Sequence, residues 1–273
     1  MTHTIRDVLP HTGTPTARFA PAVVAAPPAY SLVVPVYNGA TRLANTLAQL
    51  ADLLCLPEAG RPELILVDDG SEPPAADALR RFASRHAEVV LLRNHRNRGK
   101  GFSVTRGMRR ARSRYLLFTD SDLAYPIAEI QRILDLLGRG ADVAIASRSH
   151  PDSRLVSNGH DPSYAGLRRL MSWAFNGLVQ ATLLPGMMDT QAGLKGFSRH
   201  AADLIFGRAA IPGFAFDVEL LFIARKHGLV VQEMAVSYRD HEDPSTVRLS
   251  RDSFAMLRDV VRVRINDWRG AYE

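Results

Sequence analysis

Lysine is nearly missing from this chain: Lys100, Lys195 and Lys226 stand against 31 arginines among 273 residues. An arginine surplus of that kind follows genome composition as readily as chemistry, and no stretch reads as a basic tail, helix-turn-helix or zinc finger. Nucleic acid is therefore not an expected partner. Cysteine is limited to Cys55, which excludes an intrachain disulfide and a thiolate zinc cluster and suits a reducing cytoplasm. No run of 18 apolar residues offers a membrane span. The apolar stretch from Phe19 to Ala29 is broken by Pro21, Pro27 and Pro28, too short and too interrupted for a signal-peptide core. Neither a P-loop nor a strand-to-helix G-x-G-x-x-G is present. What the chain does have is 46% hydrophobic residues, enough for a real core. Its net charge of +6 suits a phosphorylated substrate or an anionic surface.

Residues 1–29 read as a loose arm, and residues 30–273 as one domain with halves 30–150 and 151–273. Ser31 to Val36 and Leu64 to Val67 are continuous apolar runs, as are Val89 to Leu92, Tyr115 to Thr119 and Val143 to Ser147. Unbroken rather than alternating hydrophobicity marks strands buried on both faces. Helical spacing separates them, as in Leu43, Leu47 and Leu50, and helices are expected near 75–86, 101–112 and 127–137. Regular strand–helix succession predicts an α/β fold with a mostly parallel sheet. Beyond a polar loop at 151–162, Leu167 to Val179 forms an apolar helical stripe. A helix at Phe214–His227, a strand at Leu229–Val236 and an amphipathic helix at Ser250–Trp268 complete the reading.

In open α/β sheets ligands gather at the carboxyl ends of the strands. Asn38, Asp68, Asp69, Asp120 and Arg148 all fall there. Asp120-Ser121-Asp122 follows a buried strand directly, and its hard oxygen ligands match Mg²⁺ or Mn²⁺. A bare D-x-D also occurs as an ordinary solvated turn, so its placement is the informative part. Asp68-Asp69-Gly70-Ser71 supplies a second acidic turn; its carboxylates can accept from a base or ribose, or simply cap the next helix. Asn97-Arg98-Gly99-Lys100-Gly101 sets two glycines around a lysine just before a helix, an arrangement that brings backbone and charge close to a nucleotide.

Together with Pro35-Val36-Tyr37-Asn38 and Gly193-Leu194-Lys195-Gly196-Phe197, these motifs occur in the order found in inverting family-2 glycosyltransferases, which the chain resembles over residues 31 to 265. Ala146-Ser147-Arg148, Asp189-Thr190-Gln191 and Phe214-Ala215-Phe216-Asp217-Val218-Glu219 make it similar to the dolichyl-phosphate β-glucosyltransferase and polyprenyl-phosphate branch. The resemblance implies a GT-A fold, with residues 30–150 binding a nucleotide sugar, UDP-glucose by analogy, and residues 151–273 facing the acceptor. It implies that Pro35, Tyr37, Asn38, Asp68 or Asp69, Lys100, Asp120, Ser121 and Arg148 line the donor, with Asp122 the more direct ligand of Mg²⁺ or Mn²⁺. Related enzymes often carry a further polar ligand where this chain has Ala124, so water, phosphate or another segment must complete the metal shell.

On the acceptor side, Asp217 and Glu219 do not share a helical face. Asp217 is the general base if the acceptor is a hydroxyl, and an orienting carboxylate if it is an already ionised polyprenyl phosphate. Arg148, Gln191, Lys195, Arg248 and Arg251 are candidates for the acceptor, although Arg248 and Arg251 read equally as solvated loop residues. His241 is a candidate metal neighbour or a surface histidine. The last helix carries Phe254, Leu257, Val261, Ile265 and Trp268 with flanking arginines, which permits peripheral contact with the inner face of a membrane, protein packing or a dimer.

Overall fold

The computed structural model describes residues 28–56, 62–156, 174–239 and 249–273. Seven strands form one sheet: β1 (Tyr30–Val36), β2 (Pro62–Asp68), β3 (Val89–Arg93), β4 (Tyr115–Phe118), β5 (Val143–Ser147), β7 (Lys195–Ser198) and β8 (Val231–Ala235), in the order β3-β2-β1-β4-β7-β5-β8. All pairs are parallel except those of β7, which runs antiparallel between β4 and β5. Two short strands, β6 (Arg154–Leu155) and β9 (Ser237–Tyr238), pair separately.

The continuous apolar runs have the expected cause. Alternate residues of one strand serve opposite faces: Val33, Ile65, Val67, Leu116, Phe118, Val143 and Ile145 join one core cluster. Their neighbours Leu32, Val34, Leu64, Leu66, Leu117, Ala144 and Ala146 join the other. On the second face lie α1 (Ala40–Cys55), α2 (Pro73–Arg85) and α4 (Ile127–Gly138), through residues such as Leu47, Leu79 and Ile133. On the first lie α3 (Lys100–Arg110), α6 (Arg199–Arg208), α7 (Phe216–Lys226) and α8 (Leu249–Trp268), through Val104, Ile205, Leu220 and Val263 among others. Helical residues 174–182, called α5, add Val179 to that face; Leu167, Leu170 and Met171 of the expected stripe lie outside the described residues.

Sequence reasoning missed β7, α6 and the β6–β9 pair. Lys195-Gly196-Phe197-Ser198 has neither an apolar run nor clean alternation, yet it is fully inserted in the sheet: Lys195, Gly196 and Phe197 are buried. α6 is announced only by Ser198, whose hydroxyl accepts from the backbone N–H of Ala201 at 3.2 Å, a helix N-cap. The expected helices and strands elsewhere appear, β5 with the expected ends and the others with ends displaced by no more than three residues.

Candidate active site

Because β7 runs against its neighbours, its first residue arrives at the same sheet edge as the last residues of the parallel strands. Lys195 pairs with Phe118, the end of β4, and two residues later the chain reaches Asp120. The opposing α7 begins at Phe216, which puts Asp217 in its first turn. The result is a charge cluster at the carboxyl edge. Lys195 Nζ, with no exposed surface, donates to Asp217 Oδ1 and to the Ala192 carbonyl, each at 2.6 Å. Lys100 Nζ lies 2.6 Å from Asp120 Oδ1 and 3.9 Å from Asp217 Oδ2. Both ammonium groups also rest over aromatic faces, Lys100 over Phe216 and Lys195 over Phe118, a favourable place for a cation.

The two lysines respond differently to burial. Desolvation works against both charges, but at Lys100 the carboxylates of Asp120, Asp217 and Asp122 outweigh it and hold the ammonium above the usual lysine range. At Lys195 desolvation prevails over Asp217 and pushes the group below that range.

The Asp120–Asp122 turn is closed by Leu123, whose N–H donates to the Asp120 carbonyl at 3.1 Å while its own φ is 48°. Thr46 of α1 donates to the Ser121 carbonyl at 2.6 Å, and the Ala124 N–H donates to Asp122 Oδ1 at 3.2 Å. A Cβ on Gly193 would stand 2.3 Å from Asp120 Oδ2, so the glycine leaves the space in which that carboxylate lies.

Asp68 and Asp69 are buried and bonded inward. Asp68 accepts from the Ser71 N–H at 2.8 Å and from Arg93 at 2.7 Å. Asp69 accepts from the Asn94 side chain and from the backbone N–H groups of Arg98 and Gly99, at 2.7 to 2.9 Å. It therefore fixes the loop that delivers Lys100. Gly99 has φ +96° and its missing Cβ would meet the Pro212 carbonyl at 2.5 Å, so the loop at 209–213 lies directly on it. Asn38, at φ 54°, links its own turn to the next: its N–H donates to Ser71 Oγ and its side-chain oxygen accepts from the Glu72 N–H, both at 2.9 Å. Pro35 ends within β1 and Tyr37 follows it, 46% exposed.

Arg148, just past β5, donates through Nε and Nη2 to Asp189 at 2.9 and 3.2 Å, and its Nη2 also reaches the Gln191 carbonyl at 3.4 Å. Burial works against Asp189's ionised form, but Arg148 overrides it and holds the carboxyl below its ordinary range. Asp189 in turn receives the Gln191 N–H at 3.0 Å. Glu233 of β8 receives the N–H groups of Met188 and Asp189 at 2.8 and 2.9 Å. Arg148 and Gln191 thus belong to one braced turn next to Tyr125 and Asp120. Burial pushes the Tyr125 phenol well above its ordinary range; its oxygen accepts from the Gly193 N–H at 3.2 Å.

The expected separation of Asp217 and Glu219 is present. Glu219, fully buried, accepts from the N–H groups of Ala210 and Ile211 and from the Tyr272 hydroxyl at 2.7 Å. His241 and Arg248 lie outside the described residues; Arg251 is placed only by its position in α8. Thr46, Arg93, Asn94, Tyr125 and Glu233 were not anticipated as supports. Only Asn94, in a polar loop beside a glycine-rich motif, carried any hint of it.

Among the described residues no three His, Cys, Asp or Glu side chains converge as a ready metal cluster. The Asp120–Asp122 turn nonetheless suits a hard divalent ion. It offers two carboxylates, it already draws the Lys100 cation to 2.6 Å, and Gly193 leaves room beside Asp120. Phosphate and water oxygens would complete such a shell.

Residues 31–206 match the glycosyl transferase family 2 model. A dolichyl-phosphate β-glucosyltransferase of Dictyostelium discoideum is 31% identical over 256 residues, covering 89% of this chain and 76% of the relative. The Homo sapiens enzyme of that name is 29% identical over 254 residues, with the same coverage. Among solved structures, glucosyl-3-phosphoglycerate synthase of Mycobacterium tuberculosis superposes with a TM-score of 0.63 at 16% identity, over 86% of this chain and 80% of that one. The same protein with Mn²⁺, UDP-glucose and glycerol 3-phosphate gives 0.61 at 14% identity, with the same coverage. These likenesses establish the GT-A fold that the family resemblance implied, on the α/β architecture expected from the strand pattern. The chain belongs to glycosyl transferase family 2, as an inverting glycosyltransferase related to the dolichyl-phosphate β-glucosyltransferase branch.

Proposed function

We propose that the protein transfers glucose from UDP-glucose to a polyprenyl phosphate, releasing UDP and inverting the anomeric carbon. Its branch relatives, named for dolichyl phosphate and β-glucosyl transfer, support that donor and acceptor. The observation that carries the acceptor reading is the environment of Asp217. This carboxylate is 3% exposed and lies between two lysines, 2.6 Å from Lys195 and 3.9 Å from Lys100. A carboxylate so committed is arranged to orient charge rather than to collect a proton from an acceptor hydroxyl. A phosphate acceptor is already ionised and needs no base. Asp120 and Asp122 would hold Mg²⁺ or Mn²⁺, which supplies charge neutralisation for the departing diphosphate. Lys100, delivered by the Asp69-braced loop, adds positive charge beside Asp120, while the Arg148–Asp189 pair keeps the neighbouring turn rigid. Direct displacement then requires acceptor and leaving group on opposite faces of the sugar.

A second reading has its own support. The fold neighbour solved with Mn²⁺, UDP-glucose and phosphoglyceric acid favours a small-molecule hydroxyl acceptor, with polysaccharide or glycolipid hydroxyls in the same class. Asp217 is then the general base. Radiolabelled UDP-glucose with Mn²⁺, offered polyprenyl phosphate in one reaction and 3-phosphoglycerate in another, separates the two. Label in the lipid phase supports the first reading; label confined to a phosphoglycerate product overturns it. Asp122→Asn should cut metal-dependent turnover by about 100-fold or more in either case, the scale of losing a charge-stabilising group. Wild-type turnover in that variant would remove Asp122 from the site.

A further inference from the structure

α8 carries a second apolar stripe that faces away from the protein. Its inner side is spent on the core, through Val260 and Val263, which are 6% and 0% exposed, with the buried Asp259 beside Val263 on the same side. At 3.6 residues per turn, Leu257, Val261, Ile265 and Trp268 fall together within an arc of roughly 80° on the opposite side. Leu257, Val261 and Trp268 are 43%, 58% and 78% exposed, Ile265 half-buried. Beside this stripe, within roughly another 60° at the same pitch, lie Arg258, Arg262 and, one residue past the end of α8 with its N–H still bonded to the Ile265 carbonyl, Arg269, all exposed. No acidic residue falls on either strip: Asp259 is buried beneath Arg258, 3.6 Å from its guanidinium, and Asp267 points to Lys226, 2.7 Å away.

A helix already anchored by one face has no folding reason to present a tryptophan, two large aliphatics and three arginines on the other. That division, apolar residues beside a purely basic strip, is the pattern of a helix lying in a lipid interface, where the apolar side enters the acyl boundary and the arginines meet anionic headgroups. We propose that this face of α8 docks the protein onto an anionic bilayer surface. A second copy is the poorer occupant: a two-fold contact through the same patch would set three arginines against three arginines with no carboxylate between them. No helix among the described residues is long and apolar enough to cross a membrane, and the contact proposed for α8 lies along the bilayer surface. The surface stands on α8 alone and does not depend on the acceptor reading, with which it is compatible.

The test is co-sedimentation of the full chain with vesicles of phosphatidylcholine alone or with 30% phosphatidylglycerol, read together with tryptophan emission. The protein should pellet with the anionic vesicles, its emission should shift to the blue, and 0.5 M salt should release much of it. Val261→Asp and Trp268→Ser, each outside the donor site, should lower vesicle partitioning at least tenfold while leaving UDP-glucose binding and melting temperature unchanged. Equal partitioning of the variants, absence of preference for anionic vesicles, or a solution dimer dissolved by Val261→Asp would overturn the proposal. Failure of lipid transfer alongside intact vesicle binding would reject the acceptor reading and leave the surface standing.

Discussion

Lys195 shows what a single residue can conceal. As a sequence letter it suggests a cation for an acceptor phosphate, whereas in the fold it has no exposed surface and binds Asp217 and the Ala192 carbonyl. In that place it holds the Asp217 carboxylate. Replacing it with methionine keeps the volume but removes a hydrogen bond between charged groups, worth about 1.5–3 kcal/mol. Turnover should fall roughly 10- to 100-fold with the KM for UDP-glucose little changed, as steady-state kinetics would show. A large rise in KM with constant kcat would instead assign Lys195 to donor binding. Asp189 allows a second residue-level prediction. Its folded pKa is depressed by Arg148, so in acid the unfolded chain binds its proton first and the native state loses stability as pH falls through the range below the ordinary aspartate value. Asp189→Asn should cost roughly 2–3 kcal/mol at pH 7, less than a fully buried pair because Arg148 keeps a third of its side chain in solvent. Urea midpoints measured between pH 7 and pH 3 should then fall less steeply for the variant than for the wild type.

At the scale of elements, the parallel strands were legible because burial on both faces demands continuous apolar runs, and their ends located Asp68, Asp69, Asp120 and Arg148 correctly at one edge. β7 was illegible for the opposite reason. Its buried lysine is tolerated only because a carboxylate from α7, 22 positions later in the chain, neutralises it, and no local pattern encodes that partner. The aspartates expected on the donor side lie at that edge, yet Asp68 and Asp69 turn inward to brace loops, a distinction set by Arg93, Asn94 and the 98–99 backbone. The approach to β7 is equally non-local in its demands: Gly193 has its place because Asp120 lies against its Cα. Gly193→Ala would put a methyl 2.3 Å from Asp120 Oδ2, well inside contact distance, and must move either the turn or the carboxylate. Mn²⁺ affinity in the presence of UDP, followed by the electron paramagnetic resonance of the free ion, should weaken about tenfold or more, the scale of disturbing a ligand's surroundings. Unchanged affinity would mean that Asp120 is not a metal ligand.

Across the whole molecule, Tyr272 and Glu273 are tied to α7, and through it to the loop that lies on Gly99. Tyr272, fully buried, donates to Glu219, and Glu219 receives the N–H groups of Ala210 and Ile211. The next residue, Pro212, lays its carbonyl against Gly99 and accepts the Phe102 N–H at 3.2 Å, and Gly99 precedes Lys100. His227 and Lys226 at the far end of α7 hold the same tail through the Tyr272 carbonyl and Glu273. α7 is therefore clamped at both ends, with Asp217 in its first turn facing Lys195 and Lys100 and Glu219 bonded to the 210–211 backbone and Tyr272. Burial raises the Glu219 carboxyl above its usual range, which makes every donor it receives valuable. Tyr272→Phe removes one of them and should cost about 1–2 kcal/mol of stability, visible as a lower melting temperature, with a small rise in the KM for UDP-glucose. Glu219→Ala also strands the Ala210 and Ile211 N–H groups and loosens the loop on Gly99. The KM should then rise by about tenfold, the equivalent of 1.4 kcal/mol, and by more than in Tyr272→Phe. If both variants lose stability while the KM stays at the wild-type value, the tail serves only to hold the core together, and the loop over Gly99 is positioned without it.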